Sequence, residues 1–144
     1  MERMIPERAI SGTHGEVWID GEKFAEAYGL QAKVDFIKEK VPMCGAPNGQ
    51  GQKYMGWEGK GTLRITKVNS RLTRKVAEQV KRGVLEPMTI VSKLADPAAF
   101  GAERVVLTGC TFDDLTLADW ESGKIVQEEK PFTFTNFDFI DYIE

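Results

Sequence analysis

Two stretches of two-residue alternation, on either side of a glycine-rich segment, constrain this chain more than anything else in it. Leu30, Ala32, Val34 and Phe36 alternate with Gln31, Lys33 and Asp35. Trp57, Leu63 and Ile65 alternate with Glu58, Lys60, Thr62, Arg64 and Thr66. Successive strand side chains point to opposite faces, so each stretch reads as a half-buried strand with one polar face. Gly59 and Gly61 fall on the apolar parity of the second stretch, where something bulky is expected to pack over them. The two strands should pair, which makes 42–56 the connection of a long hairpin. At Phe36-Ile37 the alternation slips by one, as a β-bulge or bend would cause, and the strand can continue to Val41.

The rest of the chain is mostly strand as well. GEVWIDGEKF (15–24) reads as two short strands around Asp20-Gly21, a strong hairpin-turn dipeptide. MTIVSKLAD (88–96), RVVLTGCTF (104–112), LTLADW (115–120) and PFTFTNFDFIDYI (131–143) are further candidates. In the last, Phe132 and Phe134 have one parity, Phe137 and Phe139 the other, so Asn136 is expected to mark a second bulge. One helix stands out in SRLTRKVAEQVKRG (70–83), where Leu72, Val76 and Val80 recur every four residues beside Ala77. Ser70 is its expected N-cap and Gly83 its stop. With no internal repeats or low-complexity tails, the 144 residues should form one domain, 1–144. The expected class is mainly β (α+β), with one packed helix.

Reactive chemistry is hard to find. A P-loop needs Gly-Lys-Ser/Thr, but Gly59-Lys60 is followed by Gly61, and Tyr54 occupies the place of the first glycine. A GxGxxG pattern starting at Gly49 ends on Tyr54, and no helix follows to hold a phosphate. His14 is the lone histidine, with no orienting partner nearby in sequence. Asp113-Asp114 and Glu128-Glu129 are adjacent, so on a strand each pair would point to opposite faces. Metal-ligand spacing is missing, and Cys44 and Cys110 are expected to be free thiols in a reducing compartment. No catalytic residue, cofactor or metal is expected. MERMIPERAISG lacks the apolar region of a signal peptide, and no apolar run approaches the ~20 residues that span a bilayer. These features point to a cytoplasmic start without a membrane anchor.

Charge and glycine point instead to a partner. Residues 1–83 carry 15 Lys/Arg against 10 Asp/Glu, and residues 84–144 carry 4 against 12. Such a split lets parts of one molecule attract their counterparts on a neighbour, unless the halves interleave in the fold. From Arg64 to Arg82 there are seven basic residues and one acid, Glu78. This is either a solvated helix face with Glu78 bridging Arg74 and Arg82, or a face for an acidic partner. No aromatics interleave with the basic residues, so nucleic-acid readout is the weaker version of that idea. Residues 43–61 hold six glycines in nineteen positions. A connection as long as 42–56 is uncommon in a compact domain unless it is functional or disordered. Contact with another subunit is the simplest way to order such backbone.

Four blocks carry a family resemblance: ISGTHGEVWIDGEKFAEAYGLQAKVDFIKEKVP, GWEGKGTLRITKVNSR, DPAAFGAERVVLTGCTF and EKPFTFTNFDFIDY. Together they resemble the tail tube (core tail) protein of contractile phage tails, of the PBSX-like defective-prophage and phage-tail-like bacteriocin type, from end to end. The resemblance implies a tail-tube/Hcp-like β-sandwich or barrel with one flanking α-helix. Six copies would join into a ring, and rings would stack into a hollow tube, a conduit or puncturing needle when the sheath contracts. The hairpin loop would reach the next ring, making Met43, Cys44, Gly45, Asn48, Gly49, Gly51, Lys53, Tyr54 and Met55 the stacking residues. The helix would face the sheath with Arg71, Arg74, Lys75, Glu78 and Lys81. The lumen would be lined by Gln31, Lys33, Asp35, Glu58, Lys60 and Arg64, past which DNA could move without sequence recognition. Implied partners are further copies of the chain, the sheath, the baseplate and the tape-measure protein, assembled in the bacterial host cytoplasm into a tail or tailocin particle. Two alternatives stand beside this: an Hcp-like secretion-system tube, and a monomeric nucleic-acid-binding β-barrel.

Overall fold

The computed structural model describes residues 3–45, 51–98 and 101–143. In chain order its strands are β1 (Gly15–Ile19), β2 (Glu22–Lys23), β3 (Ala27–Val41), β4 (Gly51–Thr66), β5 (Met88–Leu94), β6 (Glu103–Phe112), β7 (Gln127–Phe134) and β8 (Asn136–Asp141). The α-helix, α1 (Arg71–Arg82), lies between β4 and β5. All strand pairs are antiparallel, in the order β2-β1-β5-β6-β7-β4-β3, with β8 on β6. The path is open, but its ends curl together, so that Val17 of β1 and Leu30 of β3 line one cleft. This gives the mainly β body with a flanking helix that the sequence implies.

The Asp20-Gly21 turn joins β1 to β2 as expected, both residues having positive φ (51° and 82°). Asp20 also ties the turn to the head of β5. Its N–H donates to the Thr89 carbonyl at 2.9 Å, and its Oδ1 accepts from the Thr89 N–H at 2.9 Å.

Gly59 and Gly61 are covered by aromatics, as their parity required. Each faces a phenylalanine directly across β4–β7, in the register Gly59↔Phe134 and Gly61↔Phe132. A Cβ on Gly59 would stand 2.5 Å from Phe134 Cε2, and one on Gly61 2.4 Å from Phe132 Cζ. The missing side chains make room for rings that then fill the core. Phe132 is fully buried, with its ring 6.2 Å from Phe112 and 6.3 Å from Phe134.

Six details depart from the sequence reading. The hairpin connection is 42–50 rather than 42–56, because β4 begins at Gly51 and Gln52, Lys53 and Tyr54 pair with Lys40, Glu39 and Lys38. The bulge near Phe36-Ile37 is real but lies on the opposite strand. Ile37 pairs with Gly56 and Lys38 with Tyr54, so the extra residue here is Met55 on β4. Residues 115–120 form no strand, and Leu117 and Trp120 project outward instead.

No residue is inserted at Asn136 relative to β6. The break falls at Thr135, and the register runs through it from Thr111↔Thr133 to Thr108↔Asn136. Gly109 sets the bend with φ 66°, where a Cβ would be 2.0 Å from Thr135 Oγ1. In α1, Gln79 takes the buried place expected for Val80, which is half exposed, and Gln79 Oε1 accepts the Glu86 N–H at 3.3 Å. Ser70 holds the N-cap position but Asn69 Oδ1 does the capping, accepting the Arg71 N–H at 3.1 Å. Gly83 ends the helix in the left-handed region as expected.

Candidate assembly interface

β3 and β4 are 15 and 16 residues long, far longer than the other strands, and their distal part leaves the body. Over Phe36–Gly45 and Gly51–Met55 nearly every described residue is exposed. Many are large and apolar: Phe36 (64% exposed), Ile37, Val41, Met43, Tyr54 (54%) and Met55 (54%). Phe36 and Tyr54 meet edge-on at 5.8 Å, an aromatic pair on neither side of which the body closes. Backbone pairing holds this arm, not burial. Its apolar residues therefore gain little until something covers them.

Of the stacking candidates, Met43, Cys44, Gly45, Gly51, Lys53, Tyr54 and Met55 all lie on the arm or at its described end. Asn48 and Gly49 lie outside the described residues. Sequence reading overlooked Phe36, Ile37 and Val41 as arm residues. The phase slip at Phe36-Ile37 was the available signal, since alternation lapses where both faces of a strand meet solvent. It also gave no weight to the β6–β7 connection, where Leu117, Trp120 (74% exposed) and Ile125 project.

The helix candidates divide into two groups. Arg71 is bound by the first hairpin: it pairs with Glu22 and, at 3.0 Å, with Glu26, donates to the Lys23 carbonyl at 3.0 Å, and lies over the Phe24 ring at 4.0 Å. Lys75 pairs with Asp20. These acids answer the unfavourable placing of cations in the first turns of a helix. Burial raises the Asp20 carboxyl, but Lys75 and the Thr89 N–H outweigh it and hold it below the usual carboxylate range. Arg74, Glu78 and Lys81 form the outward face, with Arg74 and Glu78 paired at 3.4 Å. Arg82 pairs with Glu86 rather than with Glu78.

Lys67, from the same basic stretch, turns to buried Glu128 at 3.3 Å. Buried Lys130 approaches the other oxygen of that carboxylate at 3.0 Å, off the line of a hydrogen bond. Burial alone would raise the Glu128 carboxyl, but Lys130 and Lys67 together hold it low. The run 64–82 is thus not one basic surface, which removes the feature behind the nucleic-acid reading.

The six lumen candidates do share one face of β3–β4. In register, Gln31 opposes Thr62, Lys33 opposes Lys60, Asp35 opposes Glu58 and Arg64 opposes Gly29. Like charges stand directly opposite each other in two successive pairs, an arrangement that costs stability on an isolated sheet. Lys60 and Glu58 relieve part of it at 3.8 Å along β4. His14 is exposed on a 3-10 turn. No group of His, Cys, Asp and Glu close enough to hold a metal occurs among the described residues, nor any helix long and apolar enough to cross a membrane.

A compact β body that projects a strand-paired, apolar arm has the anatomy of an assembly subunit. The chain belongs to the phage tail tube protein family, which matches residues 2–141. It is 33% identical over 134 residues to the phage-like element PBSX protein XkdM of Bacillus subtilis (strain 168), covering 92% of this chain and 90% of that protein. Its fold is similar to a chain in the structure of the anti-feeding prophage tube-terminating cap (TM-score 0.71, 11% identity, 96% of this chain and 93% of the other). It is also similar to a chain in the extended sheath–tube complex of the PVC extracellular contractile injection system (TM-score 0.70, 12% identity, 90% of each chain). The protein is a structural tail tube component.

Proposed function

We propose that the chain assembles into homo-hexameric rings, stacked as the hollow inner tube of a contractile phage tail or phage-tail-like bacteriocin. The exposed apolar arm carries this reading. Phe36, Ile37, Val41, Met43, Tyr54 and Met55 remain exposed in the subunit, and a ring-to-ring contact would cover them. Such a contact is heterologous and does not close, so it propagates a filament. The outer edge of β3 pairs with no strand among the described residues, and can join a neighbour in the ring. In this arrangement Arg74, Glu78 and Lys81 face the sheath. Gln31, Lys33, Asp35, Glu58, Lys60 and Arg64 line the lumen, where mixed charge lets DNA pass without a sequence-specific hold. Solved relatives of the fold come from a baseplate, a sheath–tube complex and a tube cap, which supports sheath and baseplate as partners, with a tape-measure protein inside the tube. The single tube domain 1–144 acts without catalysis and is assembled in the host cytoplasm.

The test is electron microscopy of the purified chain beside a shortened one. Replacing residues 38–55 by Asn-Gly joins Ile37 to Gly56, already partners across the hairpin. The full chain should form rings and tubes at high concentration. The shortened chain should fold, shown by an unchanged thermal melt of the body, and form no tubes. Tubes from the shortened chain would refute the reading.

A further inference from the structure

The arm has two unlike faces, and one of them is matched by a surface at the far end of the same chain. Along β3, Phe36, Lys38 and Lys40 point to one side, and the register sets Tyr54 opposite Lys38 and Gln52 opposite Lys40 on that same side. This face is aromatic and cationic, and no acid lies on it. Neither lysine forms an ion pair among the described residues. On the other face Glu39 stands opposite Lys53, so the charges there cancel.

Residues 113–126, which join β6 to β7, have the complementary character. This strap is tied at both feet. The Asp113 N–H donates to the Pro131 carbonyl at 2.9 Å, Leu115 packs against the core, and the Val126 carbonyl accepts the Lys67 N–H at 2.9 Å. Between the feet Leu117, Trp120 and Ile125 are 74–79% exposed. Asp113, Asp114, Asp119 and Glu121 are set against a single cation, Lys124, which pairs with Glu121 at 3.1 Å. That leaves Asp113, Asp114 and Asp119 exposed, without an ion-pair partner among the described residues. Lys67, at the second foot, is already engaged by Glu128.

The two surfaces lie at opposite ends of β4. Pro131 pairs with Thr62 and Gln127 with Thr66, so the feet of the strap flank the last residues of β4, whereas the arm contains its first. Twelve residues of paired strand separate Tyr54 from Thr66, about 40 Å, so an arm cannot reach its own strap. We propose that the strap of one copy receives the arm of the next, with Lys38 and Lys40 against Asp114 and Asp119, and Phe36 and Tyr54 on Leu117 and Trp120. This rests on the stacking role proposed for the arm, and names the surface on which the arm stacks. Each subunit offers one arm and one strap at opposite ends, so the contact is head to tail and repeats without closing.

Charge exchange tests the pairing. K38E/K40E reverses the arm face, D114K/D119K reverses the strap, and a further protein carries all four changes. Sedimentable polymer at low salt is measured for each beside the parent, with a thermal melt to confirm the fold. Each reversal alone should lower polymer by about tenfold or more, since opposed like charges cost more than the 1.4 kcal/mol that tenfold represents. The combined protein should regain most of it. Should D114K/D119K melt early, D114N/D119N carries the same test, with an expected loss of polymer and a flattened salt dependence. A folded strap variant that polymerises like the parent, or a combination that regains nothing, overturns the proposal. If the shortened hairpin nevertheless abolishes tubes, the stacking role survives and only this receptor is wrong. Tubes from the shortened hairpin would remove the stacking role itself.

Discussion

Putting a methyl group on Gly59 would test the central packing idea of the body, that β4 is thinned to admit phenylalanine from β7. In Gly59→Ala the new Cβ would stand 2.5, 2.6 and 2.8 Å from Phe134 Cε2, Cδ2 and Cζ. Carbon atoms in contact prefer about 3.5–4.0 Å, so the ring must retreat by about 1 Å. Trp57 at 6.2 Å and Phe132 at 6.3 Å between centroids flank it, so a retreat disturbs that aromatic packing. Overpacking of this kind costs about 1–3 kcal/mol, against which alanine returns about 0.5–1 kcal/mol through lower backbone entropy. A net loss of about 1–2 kcal/mol is expected. Urea unfolding followed by tryptophan fluorescence, below the concentration of assembly, would measure it.

The decisive step is a cycle with Phe134→Leu. The three atoms nearest a Cβ at Gly59 all belong to the Phe134 ring, so the double variant should lose about 1 kcal/mol or more less than the sum of the singles. Gly61 provides the contrast. There the Gln31 carbonyl oxygen would lie 2.5 Å from the Cβ, in addition to the Phe132 ring. Trimming Phe132 to leucine should therefore leave Gly61→Ala largely unrescued. Additive losses at 59, or full rescue at 61, would refute the argument.

Glu128→Gln leaves Lys130 buried without a counter-charge, and should cost about 3–5 kcal/mol in chemical unfolding. The low Glu128 carboxyl stabilises the fold above the pKa of the unfolded chain, and that stability is lost as pH falls through the lower folded value. The variant should thus show a flatter loss of melting temperature in acid. Asp20→Asn keeps a residue that tolerates the left-handed turn but removes the charge facing Lys75. It should likewise lower the melting temperature at neutral pH and weaken its fall in acid, and an unchanged acid profile would count against the pairing. Cys110 is buried, with its thiol pushed up to about 11, while Cys44 is exposed. Iodoacetamide at pH 8 should modify one thiol in the folded subunit and two in denaturant, read by mass spectrometry.

What could be read from the sequence was set by how one-sided each element's surroundings are. The Asp20-Gly21 turn, the helix and the paired long strands showed clearly because one face of each meets the core and the other meets water. Gly59 and Gly61 were informative for the same reason, being small where the period required bulk. The pattern failed where that asymmetry ends. Beyond Ile37 both faces of the arm are solvated, so Gln52, Lys53 and Tyr54 read as loop although they are hydrogen-bonded strand. LTLADW alternates, yet pairs with no strand among the described residues. Gln79 displaced Val80 because a backbone N–H at Glu86 needed an acceptor, a requirement that comes from tertiary structure. Among the surfaces, the lining that gathers Leu30, Val105, Phe137 and Phe139 exists only once β6 and β8 lie beside β3.

The extra residue at Met55 also governs how the arm can change in length. Beyond it, Ile37, Glu39 and Val41 share one face of the hairpin, while Lys38 and Lys40 share the other. Adding one residue to each strand past this point would turn every more distal side chain to the opposite face. Adding two would carry the same faces about 7 Å further. Cancelling the bulge by deleting Met55 would invert the tip's β4 strand without altering its reach. Lengthening that keeps the arm's binding faces therefore proceeds in paired steps, so a longer or shorter arm that still fits its partner should differ by even numbers of residues per strand.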